Sequence, residues 1–345
     1  PPQIFKAIVK GFNTIANHAY LLILPFLLDV FLWLGPNLSG KNSVSIAVDK
    51  MSFSIQQLIK QPGLPEESLN QLQTFQHTIL DLVNSFDLFG FLSTMPIGVP
   101  SLMGFRSFLT NPLGDINVLP TSSISQEFLS VVGLVIVGSF LGGVFFSEIG
   151  RRTNQAEESC GFSLKRFASD VGWMMMINFS IWIIFFLLII PLFIIVFMLI
   201  NFLSQIIRNE FILEVILLAI YFSSSLALFW TIIPLIFTPH AVIIQRQNPL
   251  KAMLSSIRLV RFYLPGTGFF LLFCYLIYQV LNLFLWLLPE TTSYMLFGGI
   301  FGHAFICTVL IASSYIYFQD GLRWMNHNLK MIAQQSNQTS RPFQA

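Results

Sequence analysis

The chain has 345 residues, of which 54% are hydrophobic and only 10% are charged, and its formal net charge is +2. Soluble globular proteins carry about 25% charged residues. The composition therefore excludes an ordinary water-soluble domain, gives no basis for nucleic-acid binding, and predicts an integral membrane protein whose apolar side chains face lipid.

Six stretches are long and apolar enough to cross a bilayer as helices, which takes about 20 residues each. They cover residues 14–34, 124–148, 171–203, 211–238, 262–288 and 293–318. No small-residue cleavage site follows the first stretch, so we expect a retained span rather than a signal peptide. The third stretch contains Pro191 and would be about 50 Å long at 1.5 Å per residue. Since the hydrocarbon core is about 30 Å thick, we expect this stretch to tilt, kink or project beyond the bilayer.

A short basic segment precedes the first, third and fifth stretches. The segments are IFKAIVKGF (4–12), SLKRFASDV (163–171) and PLKAMLSSI (249–257). Their membrane-surface basic residues include Lys6, Lys165, Arg166, Lys251 and Arg258. Each segment continues with apolar residues near helical spacing, which is typical of an amphipathic helix at the headgroups of anionic lipids. We predict three units of elbow helix, span out and span back; the alternative is that any positively charged cytoplasmic loop shows a similar pattern.

A long insert, residues 35–123, separates the first two spans. Residues 44–59 and 65–86 have the apolar spacing of amphipathic helices, and Pro65 with two acidic residues is a good helix start. The stretch 89–120 is rich in Pro, Gly and aromatic residues. We expect it to lie on the outer membrane face or to cap the bundle, with a re-entrant loop as the alternative.

The distribution of basic residues predicts the orientation. With the N-terminus in the cytoplasm, 13 of the 18 Lys and Arg residues lie in inner segments, so both termini are predicted to be cytoplasmic. After the sixth stretch, residues 319–333 predict another amphipathic helix. The predicted order is an elbow helix and first span (1–34), an extracytoplasmic insert (35–123), spans two to six (124–320), and a cytoplasmic helix and tail (321–345).

Small residues at four-residue spacing predict close helix packing. They include Gly138, Gly142 and Gly143 in the second span and Gly298 and Gly302 in the sixth. Such residues let backbones approach closely, which matters because lipid supplies no hydrophobic drive for helix association. We expect these contacts inside the bundle; contact with a partner subunit is the alternative.

Polar side chains inside spans are candidate ligand or transport residues. They are Asp29, Glu127, Glu214, Gln279, Asn282 and His303. By depth they can surround a polar cavity that opens outward, and Asp29 and His303 are the first to test. The alternative is structural: boundary carboxylates in the headgroup zone, amides that bond between helices, and a histidine that bonds a carbonyl.

Cofactor and enzyme signatures are weak or absent in the sequence. Three histidines, His18, His240 and His303, are possible axial ligands of a pigment or haem, but they form no obvious pair for one metal. The cysteines share no metal-binding spacing. The sequence contains no Gly-rich phosphate loop, His-Glu-x-x-His, Cys-x-x-Cys or Gly-x-Ser-x-Gly motif. We therefore predict no catalytic residues, no metal and no cofactor, with pigment or haem as the alternative.

One segment carries a family resemblance. Residues 232–273, IIPLIFTPHAVIIQRQNPLKAMLSSIRLVRFYLPGTGFFLLF, join the Pro-containing end of a span to an amphipathic helix with Ser and Arg and then to the next span. This segment resembles the six-span membrane domain attached to some bacterial glycerophosphodiester phosphodiesterases and found in stand-alone proteins of poorly known role. No phosphodiesterase domain is present in this sequence. The resemblance implies a six-helix bundle in a bacterial plasma membrane and no catalytic residues.

The predicted fold is an all-α integral membrane protein with six transmembrane helices in three hairpins, amphipathic elbow helices and a mostly helical extracytoplasmic insert. The leading functional hypothesis is a non-enzymatic accessory or scaffolding subunit that packs against other membrane proteins and lipid. The first alternative is a transporter or lipid-handling protein with an outward cavity around Asp29 and His303. The second is a pigment- or haem-binding subunit of a photosynthetic or respiratory complex.

Overall fold

A computed structural model describes most of the chain outside the insert. The described residues are 1–40, 42, 53, 70, 74, 78, 86–94, 96–104, 114, 117–154, 163–207, 209–286 and 293–339. The helices predicted over 44–59 and 65–86 fall outside the described residues, apart from a few single positions.

The described residues are almost entirely helical, as predicted. Their α-helices are α1 (Ile4–Asn17), α2 (Ile23–Leu34), α3 (Ile124–Thr153), α4 (Leu164–Ile206), α5 (Glu210–Ile232), α6 (Thr238–Gln245), α7 (Pro249–Phe262), α8 (Leu264–Trp286) and α9 (Ser293–Thr339). Short 3-10 helices cover Ala19–Leu22, Leu88–Leu92 and Ile233–Leu235. Two short parallel strands, β1 (Asn37–Leu38) and β2 (Val118–Leu119), pair Asn37 with Val118.

Five helical stretches among the described residues are long and apolar enough to cross a membrane, and a sixth is reached if one bent pair counts as a single span. The bent pair is Ile4–Asn17 with Ala19–Leu34, and the bend between them is 92°. The chain is therefore a helical membrane protein, with five or six potential spans in the part that the structure describes.

The first span differs from its predicted form. A straight helix was expected over 14–34, but the helix ends at Asn17 and α2 begins at Ile23. Pro25 lies in the first turn of α2, where its missing N–H removes no helical hydrogen bond. The 16 residues after the bend are about 24 Å long at 1.5 Å per residue, which is shorter than the hydrocarbon core.

Two other predicted breaks are absent. The basic segment at 163–171 is the start of the single 43-residue helix α4, and Pro191 lies inside that helix. Residues 319–333 likewise continue the 47-residue helix α9 and form no separate helix. Only the segments at 4–12 and 249–257 form separate short helices, α1 and α7.

The chain divides into two compact units. The first unit contains residues 1–18, 146–279 and 309–345. Its core includes α6, in which the six residues from Thr238 to Ile243 are all buried. Aromatic rings complete this core, and the rings of Phe270 and Tyr317 stack with centroids 4.2 Å apart.

The second unit contains residues 19–145 and 280–308. A hydrophobic cluster of Trp33, Leu102, Met103, Leu281 and Ile300 forms its core. The irregular segment 88–104 belongs to this core, because it also buries Leu88, Leu92, Ile97 and Val99.

Asp87 fixes the start of that irregular segment. Its carboxylate accepts hydrogen bonds from the backbone N–H of Leu38, at 2.9 Å, and of Phe89, at 3.0 Å. Asp87 therefore joins the end of β1 to the 3-10 helix Leu88–Leu92.

Candidate functional site

The most elaborate polar cluster in the described residues surrounds Asp29, in α2 of the second unit. The side chain is 0% exposed. Its Oδ1 accepts hydrogen bonds from Ser101 Oγ at 2.5 Å, from Leu102 N at 2.9 Å and from Met103 N at 3.0 Å. Ser101 Oγ in turn accepts from the backbone N–H of Gly104 at 2.9 Å. One carboxylate thus satisfies the backbone of a buried turn that has no secondary structure of its own.

His303 completes the cluster from α9. Its Nδ1 lies 3.8 Å from Asp29 Oδ2, and the side chain is 1% exposed. Its Nε2 lies 3.4 Å from the Sγ of Cys307, one turn further along the same helix. The two residues selected first from the sequence are therefore neighbours in the structure.

The cluster is closed rather than open. An outward cavity around Asp29 and His303 was expected, but both side chains are enclosed by the core of Trp33, Leu102 and Met103. An intramembrane carboxylate with three donors and a nearby imidazole can hold or pass a proton. In this closed state its evident role is to anchor the 101–104 turn.

The other polar candidates lie apart from this cluster. Glu127 is buried, and its Oε1 accepts from Asn42 N and Thr121 Oγ1, both at 2.7 Å. Glu214 and Gln279 are exposed and belong to the first unit. Gln279 donates to Tyr275 Oη on its own helix at 3.0 Å. Asn282 is half-buried at the start of the second unit's last segment.

The glycine predictions divide into two groups. A Cβ added at Gly138 or Gly142 would lie 2.5 Å from the carbonyl oxygen of Leu92 or 2.6 Å from that of Ile97. This stripe of α3 therefore packs against the irregular segment 88–104 and not against another span. Gly143, beside the stripe, is also buried.

The glycines of the sixth span contact no neighbouring helix in the part of the chain that the structure describes. A Cβ added at Gly298 or Gly302 would meet no described atom within 4 Å. Four-residue spacing identifies a small-residue stripe on a helix, but it does not say whether that stripe faces a neighbour.

The histidines considered for pigment or haem occupy separate environments. His18 Nδ1 lies 2.9 Å from the carbonyl of Thr14. His240 is buried in α6, with Nε2 2.7 Å from Ser314 Oγ and its ring 4.2 Å from that of Tyr315. No group of three potential metal-ligating side chains occurs among the described residues.

The basic segments contribute both predicted and unpredicted features. Lys6, Lys165, Arg166, Lys251 and Arg258 are all exposed. Helix α7, however, buries Ala252, Met253, Ser256, Leu259 and Val260, and Ser256 Oγ donates to the carbonyl of Pro234 at 2.6 Å. Much of its apolar face therefore packs in the protein core, whereas its sequence pattern predicted contact with acyl chains.

An ion pair that the sequence reading did not identify lies in the same unit. Arg246 Nη1 is 2.5 Å from Asp170 Oδ1, and the Asp170 side chain is 5% exposed against 38% for Arg246. Arg246 adopts a left-handed backbone conformation, with φ 54°, and it ends helix α6. The sequence does carry a signal for this ion pair, because Asp170 lies in the basic segment 163–171 and Arg246 lies in the next predicted cytoplasmic loop.

The largest apolar surface belongs to the hairpin of α4 and α5. None of the most apolar 18-residue window of either helix is buried, whereas 44% of the corresponding window of α9 is buried. Only the first turns of α4 are packed, through Asp170, Val171, Met174, Ile177 and Asn178. Beyond residue 178 the hairpin presents aliphatic and aromatic side chains outward.

Comparison with known proteins identifies no relative. No protein-family model, no curated protein and no solved structure matches the chain. The resemblance of residues 232–273 to the phosphodiesterase-associated membrane domain stays a prediction.

Proposed function

We propose that this protein is a non-enzymatic accessory subunit of a membrane complex, and that the hairpin of α4 and α5 docks against membrane-spanning helices of another integral membrane protein. The observation that carries the proposal is an apolar surface on this hairpin that the protein leaves unburied and that is longer than the hydrocarbon core of a bilayer is thick.

The length of α4 gives the first argument. No charged residue occurs from Val171 to Ile206, a stretch of 36 residues within one continuous helix. At 1.5 Å per residue this stretch is about 54 Å long. A tilt of about 40°, the upper end of the usual range, places only about 39 Å of helix inside a 30 Å hydrocarbon core. The first eight of these residues, about 12 Å of helix, already pack in the protein through Val171, Met174, Ile177 and Asn178. The remaining stretch, 179–206, is about 42 Å long, which still exceeds the length that the steepest usual tilt accommodates.

The side chains of α4 give the second argument. The ring of Trp182 stacks on that of Phe186 at 5.5 Å, and Phe193 stacks on Phe197 at 6.4 Å. Phe193 and Phe197 are 69% and 59% exposed. Such preformed aromatic surfaces lose little side-chain entropy on docking, and aromatic residues are enriched in the centres of protein interfaces.

A stripe on α5 gives the third argument. Ala219, Ser223 and Ala227 are spaced four residues apart and are all exposed. Ser223 Oγ donates to the carbonyl of Ala219 within the helix, so no donor projects outward unsatisfied. Small residues at this spacing let a partner helix approach closely in lipid.

The proposal is tested by purification in mild detergent from native membranes, with identification of every co-purifying protein and lipid. We expect a membrane protein at fixed stoichiometry. Ser223→Trp should remove that partner, because the indole blocks close approach. Ser225→Trp, the same change about 200° around the helix, is the matched control and should retain the partner. A monomeric, partner-free wild-type protein, or equal loss in both variants, overturns the proposal.

We further propose the bacterial plasma membrane as the location, with both termini in the cytoplasm. The resemblance of residues 232–273 supports the location. The excess of Lys and Arg in the predicted inner segments, with Lys6, Lys165 and Lys251 exposed, supports the orientation. Reporters inserted near Lys165 and Lys251 should lie on the same side of the membrane as the N-terminus, and the opposite location would overturn the assignment.

A further inference from the structure

A polar cavity of about 260 Å³ lies within the first unit. It is lined by one face of α1, by the end of α3 and by the middle of α9. The α1 face consists of Lys10, Asn13, Thr14 and Asn17, and Lys10 and Asn17 are each three or four residues from both Asn13 and Thr14. A neighbouring face of α1 is packed, because Ala7, Gly11 and Ile15 are buried.

The charge of the cavity is positive. Lys10, Arg152 and Arg323 line it, and Asp320 is the one carboxylate among its described lining residues. Asp320 Oδ1 lies 3.8 Å from Arg323 Nη1. Arg152 Nε donates to Glu148 Oε1 at 3.2 Å, a contact that holds the guanidinium at the cavity wall. With Arg152 paired to Glu148 and Arg323 close to Asp320, Lys10 leaves the lining with a net positive charge, which favours an anion.

Neutral groups in the cavity suit the oxygen atoms of an anion. The amides of Asn13 and Asn17 supply N–H donors. Guanidinium groups and phosphate oxygens match in geometry and form charge-assisted hydrogen bonds. A volume of about 260 Å³ is below the range of pockets that enclose a whole drug-sized ligand, but a phosphate headgroup needs less room.

The exposed apolar side chains of α1 indicate which class of phosphate compound the cavity would bind. Phe5, Val9 and Phe12 are 71%, 58% and 49% exposed on the same helix. In a membrane protein such side chains contact acyl chains while neighbouring basic groups contact headgroups. We propose that this cavity binds the phosphate group of an anionic membrane lipid. This inference is independent of the proposed docking of the α4–α5 hairpin, since it rests on other residues.

Native mass spectrometry of the full-length protein in detergent tests the site. The probes are phosphatidylglycerol, phosphatidylcholine and inorganic phosphate. We expect retained phosphatidylglycerol, little phosphatidylcholine, and weak competition by inorganic phosphate. Lys10→Gln should reduce phosphatidylglycerol retention about fivefold, and Lys10→Gln with Arg323→Gln by more than tenfold, because each substitution removes a charge-assisted contact that the cavity wall offers to the phosphate. Asp320→Asn should increase retention.

Lys6→Gln is the matched control. It removes the same charge from the same helix one turn away, but Lys6 does not line the cavity, so retention should fall less than twofold. Equal retention in wild type, Lys6→Gln and Lys10→Gln overturns the site. Competition by inorganic phosphate at the lipid's own concentration overturns the lipid assignment and leaves a free phosphate site. Circular dichroism of each variant verifies folding. Asp320→Asn should increase lipid retention, the opposite of the other variants, and misfolding does not produce such an increase.

Discussion

The irregular segment 88–104 and the α4–α5 hairpin use apolar residues in opposite ways. The segment has little regular structure, yet it buries Ile97 and Val99 almost completely and lies against the Asp29 carboxylate. The hairpin is regular and far more apolar, yet none of its most apolar window is buried. In this membrane protein, polar anchors and small-residue contacts therefore determine which apolar residues are buried. Hydrophobicity does not, because lipid supplies no hydrophobic drive for apolar side chains to pack against protein.

Loss of the polar anchor should give the largest effect. Asp29→Ala removes the acceptor of Ser101 Oγ and of the Leu102 and Met103 N–H groups, each of which is worth about 1–3 kcal/mol when left unsatisfied and buried. We expect a loss of about 4 kcal/mol, measured by denaturant unfolding in detergent. Glu214→Ala, at an exposed carboxylate, is the control and should change stability by less than about 0.5 kcal/mol. Equal stability of the two variants would remove the anchoring role of Asp29.

Matched isoleucines compare the two regions directly. Ile97 is 0% exposed in the irregular segment, and Ile195 is 62% exposed on α4. Ile97→Ala should cost about 3 kcal/mol because it leaves a cavity, whereas Ile195→Ala should cost less than about 0.5 kcal/mol in the isolated protein. A large loss at Ile195 in the purified monomer would mean that the hairpin is packed internally after all.

Matched glycines test the small-residue contact. Gly142→Ala places a methyl group 2.6 Å from the Ile97 carbonyl oxygen, and overpacking of this kind costs about 1–3 kcal/mol. Gly298→Ala meets nothing within 4 Å among the described atoms and should stabilise α9 by up to about 1 kcal/mol through helix propensity. Thermal unfolding should therefore shift in opposite directions; shifts of the same sign would contradict the packing of α3 on residues 88–104.

The smallest expected effect is a pH dependence at Asp87. Burial raises the pKa of this carboxyl above its ordinary value of 3.8, and the hydrogen bonds from Phe89 and Leu38 offset part of that rise. The folded state then holds the proton more tightly than the unfolded state, so stability falls as the pH rises from about 3.8 to the raised pKa. Asp87→Asn should flatten this part of the curve of melting temperature against pH, and an unchanged curve would contradict the assignment.

The sequence predicted the membrane class and the all-α fold because composition and long apolar runs report them directly. It also selected Asp29 and His303, since an ionisable group within a span requires a reason to be there. Ser101 was not identified, because it lies in a Pro- and Gly-rich stretch where periodicity carries no information.

Helix ends were predicted less well, for a local reason. Helix α1 ends at Asn17 and α2 begins two residues before Pro25, whereas no proline separates the basic start of α4 from its apolar part, and the two form one helix. The spacing of Gly298 and Gly302 matched that of Gly138 and Gly142, but the structural outcome depends on which face meets segment 88–104. That face is a tertiary property that spacing alone does not specify.

Under the proposed docking, the unburied α4–α5 hairpin also bears on the cellular amount of this chain. A copy synthesised without its partner would leave uncovered an apolar helix longer than the hydrocarbon core, together with stacked aromatic rings. The amount of this chain in the cell is then expected to follow the supply of its partner rather than its own rate of translation.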